Sequence, residues 1–423
     1  MKSLNELKIC ITGSFGYKDI GDEAMLTEDL DYVVNTLGVP RQNIDLIGGD
    51  PGYMSEYHRH PVDHCFSCWW FERHLHQKRR GLVGRARSRL RRAFSGQPKV
   101  AKRVRDCDLV LVTGGGTVNT RDFQGNSLKR MHALVTHFKR LGKPIFMSGQ
   151  TIGPLGRYDH HDRMAAEIVN AVDVLTVRDS RYSRRYLDII NASPKRFVET
   201  YDDACSLPYK DEQLPNDVVE FLELGPAAAV NVTEYTADTA EKRMFIADLC
   251  ESIMSEHNLN IILVSHDVSD FSDLNVIRDM ISNDLKKCTL LPDTRLWRDK
   301  VLKKMISGCS VAVGGRYHFI VLAGTSNTPF VGMCGNHYSY IKQDGFARPV
   351  GLEDFILTEK ETWDLGVVKS KIASALERKI VIDGFFPRPT ESMELFGEWV
   401  RACAGIQEAV PELLQHAGVG LPA

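Results

Sequence analysis

Two side chains of complementary chemistry stand two residues apart, Arg316 and His318, in the run Gly314-Gly315-Arg316-Tyr317-His318. A guanidinium stays charged at every working pH and grips carboxylate or phosphate with two prongs, and an imidazole takes or gives a proton near neutrality. Together they suit an anionic substrate that needs a proton. The elements that must position them are legible too. Ser310-Val311-Ala312-Val313 is a short apolar run, the pattern of a buried parallel strand. Two glycines then permit a tight turn, Phe319 to Ala323 opens a helix, and Gly324 stops it. Open α/β sheets bind ligands beyond the carboxyl ends of their strands, where helix amino-termini attract anions. The same residues also read as an Arg paired with a structural carboxylate and a His that packs.

Four other segments repeat the pattern of strand followed by glycine or charge. Leu7 to Thr12 reads as a strand running into Gly13 to Ala24, a glycine-rich turn that opens a helix. Its glycine spacing is not that of a dinucleotide fingerprint, and no Gly-Lys-Ser/Thr follows as in a P-loop. Asp22 and Glu23 suit either a substrate contact or the helix dipole. Leu109 to Val112 leads into Thr113-Gly114-Gly115-Gly116-Thr117, whose backbone amides could cradle an anion. Pro144 to Ser148 leads into Gly149-Gln150-Thr151-Ile152-Gly153-Pro154, and Val174 to Val177 ends in Arg178-Asp179-Ser180-Arg181-Tyr182-Ser183.

The chain of 423 residues is too long for one core and has the length of two or three domains. Strands and helices alternate on both sides of a Pro-bearing stretch, residues 210–226. The expected organisation is an α/β domain over 1–209, a linker over 210–226, a second α/β domain over 227–386, and helices and tail over 387–423. Both domains are expected to be doubly wound (Rossmann-like) and to face a cleft. A formal net charge of −2 gives no overall signal for nucleic acid. The ten cysteines lack a disulfide-framework spacing, the start has no apolar signal core, and no run reaches membrane-span length, so the chain reads as cytoplasmic.

Two inserts depart from this background. Residues 58–76 carry His58, His60, His64, Cys65, Cys68, His74 and His76, types that ligate zinc, yet no second ligand pair follows at regular spacing. A mobile aromatic loop is the expectation for residues 53–70. Lys78 to Arg105 holds twelve cations and no acid, with Leu82, Val83, Leu90 and Phe94 interleaved. That is a basic amphipathic helix, suited to an anionic membrane surface or simply to solvent.

The sequence resembles the polysaccharide pyruvyltransferase family. The resemblance rests on Gly21-Asp22-Glu23-Ala24, the triple glycine 114–116, the Gly149 to Pro154 turn, Arg178-Asp179 with Ser183, Asp202 and Ala204, and Gly314 to His318 followed by Ala-Gly-Thr-Ser-Asn-Thr-Pro. Tyr317 stands where an aliphatic residue is usual, and Ser183 falls one residue late. The resemblance implies the two-domain arrangement called GT-B. It also implies transfer of the pyruvyl group of phosphoenolpyruvate to two hydroxyls of one sugar, giving a cyclic ketal and phosphate. The acceptor is then a sugar of a surface polysaccharide or its lipid-linked precursor. On that reading His318 is the general acid, Arg316 and Arg178 hold the donor anion from opposite domains, and Tyr317 and Asp22 sit with them. Gly115, Gly116 and Gly153 line the acceptor side. No cofactor or metal is required, since two guanidiniums can neutralise the donor. A nucleotide-sugar glycosyltransferase and a non-catalytic carbohydrate-binding protein remain as other readings of the same fold.

Overall fold

Apolar runs without polar alternation need cover on both faces, and here they form two all-parallel sheets. The computed structural model describes residues 2–68, 97–121, 125–267, 269–294, 297–377 and 391–405. The first sheet contains β1 (Ile9–Thr12), β2 (Ile44–Gly48), β3 (Cys65–Ser67), β4 (Leu109–Val112), β5 (Ile145–Gln150), β6 (Val174–Val177) and β7 (Phe197–Glu199), in the order β3-β2-β1-β4-β5-β6-β7. Ile9 of β1 lies between Ile44 and Leu109, and all three are buried. The second sheet contains β8 (Ala227–Asn231), β9 (Asn260–Val264), β10 (Thr289–Leu290), β11 (Val311–Gly314), β12 (Phe330–Met333) and β13 (Ile356–Leu357), in the order β10-β9-β8-β11-β12-β13. In each sheet the chain runs out to one edge, returns past its first strand and continues the other way. That is the doubly wound order, and its reversal point in the second sheet lies between β8 and β11.

The chain forms two compact units. The first comprises Met1–Tyr17, Met25–Asp203 and Thr390–Ala423; the second comprises Lys18–Ala24 and Ala204–Pro389. Boundaries read from composition therefore differ from those of the packing. The expected linker 210–226 carries a helix, Asn216–Glu223, that buries Val218 and Phe221. Seven residues near the amino end, 18–24, belong to the second unit. They are tied there by an antiparallel bridge between Asp19 and Asp267 and by the Ile20 amide, which donates to the His266 carbonyl at 3.2 Å. The helix Glu391–Cys403 returns to the first unit, where Phe396 and Trp399 pack on Phe146 of β5 at ring distances of 5.3 and 5.6 Å.

The expected loop over residues 53–70 is partly ordered structure. Asp50 accepts the Tyr53 amide at 2.7 Å and Pro51 follows, a start signal for the helix Pro51–Tyr57. β3 then adds to the sheet edge, because Cys65 and Phe66 pair in register with Leu46 and Ile47. Of the basic run, residues 78–96 lie outside the described residues. Its end is a helix, Gln97–Asp106, whose Arg103 reaches Asp45 at 3.1 Å. Of the expected carboxyl-terminal helices and tail, residues 387–390 and 406–423 also lie outside them. Among the described residues no helix is long and apolar enough to cross a membrane.

Candidate active site

Three strands of the second sheet end in polar residues that converge. Asn231 closes β8, His266 follows β9, and Arg316 follows β11 as the cap of the helix Tyr317–Thr325. Asn231 joins them: its side-chain amide donates to the Val264 carbonyl at 2.8 Å, and its Oδ1 accepts the Arg316 amide at 3.1 Å. This is the reversal point of the sheet, where ligands bind in doubly wound folds.

Arg316 is partly committed. Its Nε and Nη2 grip both oxygens of Asp270 at 3.0 and 2.5 Å, at the first residue of the helix Asp270–Met280. Its Nη1 lies 3.7 Å from Asp19, and Glu234 lies 3.4 Å from Nη2. Burial works against the guanidinium charge, but Asp270, Asp19 and Glu234 more than offset it and hold the proton more firmly than usual. Burial lifts the Asp270 carboxyl to about 6 against the pull of Arg316, and the two-pronged contact is that of carboxylate with guanidinium. The structural-carboxylate reading of Arg316 is thus part of the answer: one edge of its fork is taken.

His318 lies two residues further on, in the first turn of the helix Tyr317–Thr325, 8 % exposed. Its ring rests directly on Gly21. A Cβ added at Gly21 would lie 2.0 Å from His318 Nδ1 and 2.2 Å from Cγ, so only glycine fits there. The glycine of Gly-Asp-Glu-Ala is therefore a close-approach glycine. The His266 ring lies nearly parallel to that of His318, with centroids 6.3 Å apart and planes 13° from parallel. His266 is buried, and burial pushes its pKa down to about 3, so its imidazole is neutral. Asp19 caps the turn, accepting the Gly21 amide at 2.9 Å, and lies 3.8 Å from His266 Nε2. Its own burial is outweighed by His266, Arg316 and His318, which keep its carboxyl below the usual range. Asp22 is different: burial and then Asp19 push it up to about 7, with His318 and Lys342 pulling the other way.

Tyr317 is 5 % exposed and packs edge-on against Phe346. Lys342 lies 5.4 Å from its ring and 4.4 Å from that of Tyr338. Sequence reasoning missed Asp19, His266, Asp270 and Lys342. The signal for His266 was available: a His at the carboxyl end of an apolar strand in the same sheet as Arg316. Asp270 and Lys342 come from helix ends and faces, with no motif to mark them.

The other predicted site residues belong to the first unit. Arg178 follows β6 and is buried, with 3 % of its side chain exposed. Its Nη1 pairs with the fully buried Asp202, and its Nε donates to Thr151 at 2.9 Å. Asp179 caps the next helix, accepting the Tyr182 and Ser183 amides at 3.1 and 3.0 Å. The Ser183 hydroxyl bonds back to Asp179 at 2.9 Å and accepts the Ile152 amide at 2.9 Å. Those motif residues thus hold the chain at Thr151 and Ile152. Gly115 extends the β-pairing: its amide points to the Gly149 carbonyl and its carbonyl accepts the Thr151 amide at 2.9 Å. The Gly116 carbonyl accepts the Asn119 side-chain amide. Gly153, at φ +99°, lies against the Tyr186 ring, which a Cβ would meet at 2.1 Å. Packing accounts for that glycine.

In the 58–68 segment, His60 Nε2 lies 2.9 Å from the Ile44 carbonyl, His64 Nδ1 2.9 Å from Asp45, and Cys68 2.9 Å from the Tyr17 hydroxyl. These groups turn to separate partners; His74 and His76 lie outside the described residues. All ten cysteines are free thiols. A polar recess of about 410 Å³, lined by Lys8, Asn43, Asp45, Lys102, Arg103 and Asp106, sits at the amino ends of β1 and β2. It lies at the opposite end of the first sheet from Gly115 and Gly153.

The sequence profile described as polysaccharide pyruvyl transferase matches residues 19–338. No curated protein matches the chain. Among solved structures, Anabaena HepE in complex with UDP and glucose is 12% identical at a TM-score of 0.54, covering 95% of this chain and 100% of its own. Methanocaldococcus jannaschii UDP-GlcNAc 2-epimerase in complex with UDP-GlcNAc and UDP is 12% identical at 0.51, covering 88% and 92%. The N-terminal domain of Candida albicans trehalose-6-phosphate phosphatase is 11% identical at 0.51, covering 94% and 98%. These likenesses show the fold, two doubly wound α/β domains of the GT-B type.

Proposed function

Because the chain belongs to the polysaccharide pyruvyl transferase family, we propose that it transfers the pyruvyl group of phosphoenolpyruvate to two hydroxyls of one sugar, with His318 as proton donor. The observation that carries this is the seating of the His318 ring on Gly21, which brings two separate family segments together around one imidazole. In the reaction His318 gives its proton to the methylene carbon of the donor, and C2 becomes electrophilic. One hydroxyl adds to C2, and its proton returns to the imidazole. The second hydroxyl displaces phosphate, which leaves with the remaining proton. Lys342 and the amino end of the Tyr317–Thr325 helix supply positive potential for the donor's carboxylate and phosphate, and Arg316 Nη1 joins them by exchanging its 3.7 Å approach to Asp19 for the donor. No cofactor enters this scheme. The acceptor is a surface-polysaccharide sugar or its lipid-linked form. The cation run 78–105 would hold the enzyme at an anionic leaflet, read out as salt-sensitive pelleting with anionic vesicles.

The test is incubation with phosphoenolpyruvate and candidate lipid-linked sugars, following phosphate release and the pyruvate mass increment on the glycan. Glu234, half-exposed beside Arg316, keeps a second reading in view, because a carboxylate near the end of a second-sheet strand suits a ribose. On that reading a nucleotide sugar, and not phosphoenolpyruvate, would raise the melting midpoint.

Gly21→Ala is expected to lower turnover by about 10²-fold, because the new methyl displaces the His318 ring by an ångström or more. The clash reaches His318 Cβ at 2.5 Å, so overpacking should outweigh the gain in helix propensity and lower the melting midpoint as well, and turnover is therefore compared well below that midpoint. Turnover within a few-fold of wild type would show that the ring works elsewhere.

Asp22 gives a pH prediction. Below about 7 it is protonated and neutral; above it adds a negative charge beside the donor site. Donor affinity should therefore weaken as pH rises through 7, and in Asp22→Asn that weakening should vanish. The donor's own phosphate ionises in both proteins, so the difference between the two titrations isolates Asp22. Parallel titrations would remove it from the site.

A further inference from the structure

We propose that Asp19, His266 and His318 form a binding site for one divalent transition-metal ion, zinc by chemistry, at the carboxyl end of the second sheet. The ligand-type atoms of the three residues lie within 4.8 Å of one another, and among the described residues no other group of His, Cys, Asp and Glu does this. The second observation is His266. It is 1 % exposed, and neither ring nitrogen has a hydrogen-bond partner. A buried polar side chain with two unsatisfied nitrogens is costly, and an ion is one of the few things that explains it.

The donor set fits the ion. Two imidazoles and one carboxylate are zinc ligands, and the open fourth position is the mark of a site that meets solvent or substrate. Burial keeps His266 neutral, the form that donates a lone pair. Asp19 divides its work between its oxygens: Oδ1 faces His266 at 3.8 Å and Oδ2 faces Arg316 at 3.7 Å. Ligands on a tetrahedral zinc lie roughly 3.4 Å apart, so the three must draw in by about an ångström. His266 sacrifices no hydrogen bond when it turns. Its backbone is fixed, with the carbonyl holding the Ile20 amide and the amide 3.4 Å from Asp270, and this keeps the ring beside Asp19.

A metal here competes with the proton. Bound to His318, the ion occupies a ring nitrogen, so zinc arrests turnover and a chelator restores it. That consequence rests on His318 as proton donor; the binding site itself does not, and its measurement uses no substrate.

The experiment loads the chelator-treated full chain with Zn²⁺ by equilibrium dialysis and examines the product by X-ray absorption. The expected result is one tight ion per chain with nitrogen and oxygen neighbours, and at least a 10-fold loss of affinity in both His266→Ala and Asp19→Asn. Sulfur neighbours would place the zinc on the free thiols and overturn the proposal, as would unchanged affinity in the two variants. Co²⁺ loading of the wild-type protein needs no variant to fold. Ligand-field bands without thiolate charge-transfer support the site, and thiolate bands refute it. If zinc binds as expected and phosphoenolpyruvate is never turned over, the site stands and the catalytic reading falls.

Discussion

His318→Ala is expected to lower turnover by about 10²- to 10⁴-fold while leaving phosphoenolpyruvate affinity within a few-fold. The ring acts on the methylene carbon only as the proton moves, so its loss falls on the transition state and spares the ground state. The cationic groups proposed for the donor, Arg316 and Lys342, remain. Phosphate release under saturating donor measures the first quantity, and calorimetric titration of the donor the second. Added imidazole should recover part of the rate, because the ring leaves a gap against Gly21 that a free imidazole can enter. Gly21→Ala placed on His318→Ala should cost little more, since both act through the same ring. If the rate survives within a few-fold, His318 packs and does not donate.

Arg178→Ala should act mainly on stability. The pair with Asp202 is buried on both sides, and removing the guanidinium leaves a charge in the core. Such a loss costs about 3–5 kcal/mol, or roughly 6–20 °C in the melting midpoint of a unit this size. The double variant Arg178→Met with Asp202→Asn should recover a good part of it, because neither charge is then stranded. A donor ligand would behave otherwise: the midpoint would hold and phosphoenolpyruvate affinity would fall by about 10- to 100-fold. Melting curves and donor titrations on the same preparation decide between the two.

Much of the fold was written in local pattern. Leu109 to Val112 is an unbroken apolar run, Val174 to Val177 is one interrupted only by Thr176, and both are strands with those limits. The motif with Arg316 and His318 sits on a strand–turn–helix as its glycines require. What the sequence hid is what depends on contacts far along the chain. Gly21 reads as a helix-start glycine until the His318 ring, almost three hundred residues on, is seen against it. A structural carboxylate for Arg316 is conceivable from sequence, but nothing marks Asp270 as the one in its fork. Arg178 stands after a strand as an anion ligand would, but its partner Asp202 turns it inward. Residues 18–24 carry no composition shift to separate them from 1–17, so their allegiance to the second unit shows only in contacts distant in sequence: the Asp19–Asp267 bridge, the seat of Gly21 under His318 and the approach of Asp19 to Arg316.

The helix Glu391–Cys403 has a consequence for how the protein is made. Phe146 leaves the ribosome about 250 residues before its covering residues Phe396 and Trp399. Ser392, which bonds Ser148 and Thr176 inside the same unit, arrives with them. From Asp203 to Thr390 the chain grows by most of a second unit. At about 5–20 residues per second that interval lasts roughly 10–40 s. Through that time an apolar face of the first sheet waits without its lid, inviting chaperones or wrong partners. A stop codon after the second unit would therefore cripple the first one, and expression trials of the amino-terminal half alone should yield aggregate unless residues 391–403 are supplied as a fused or separate segment.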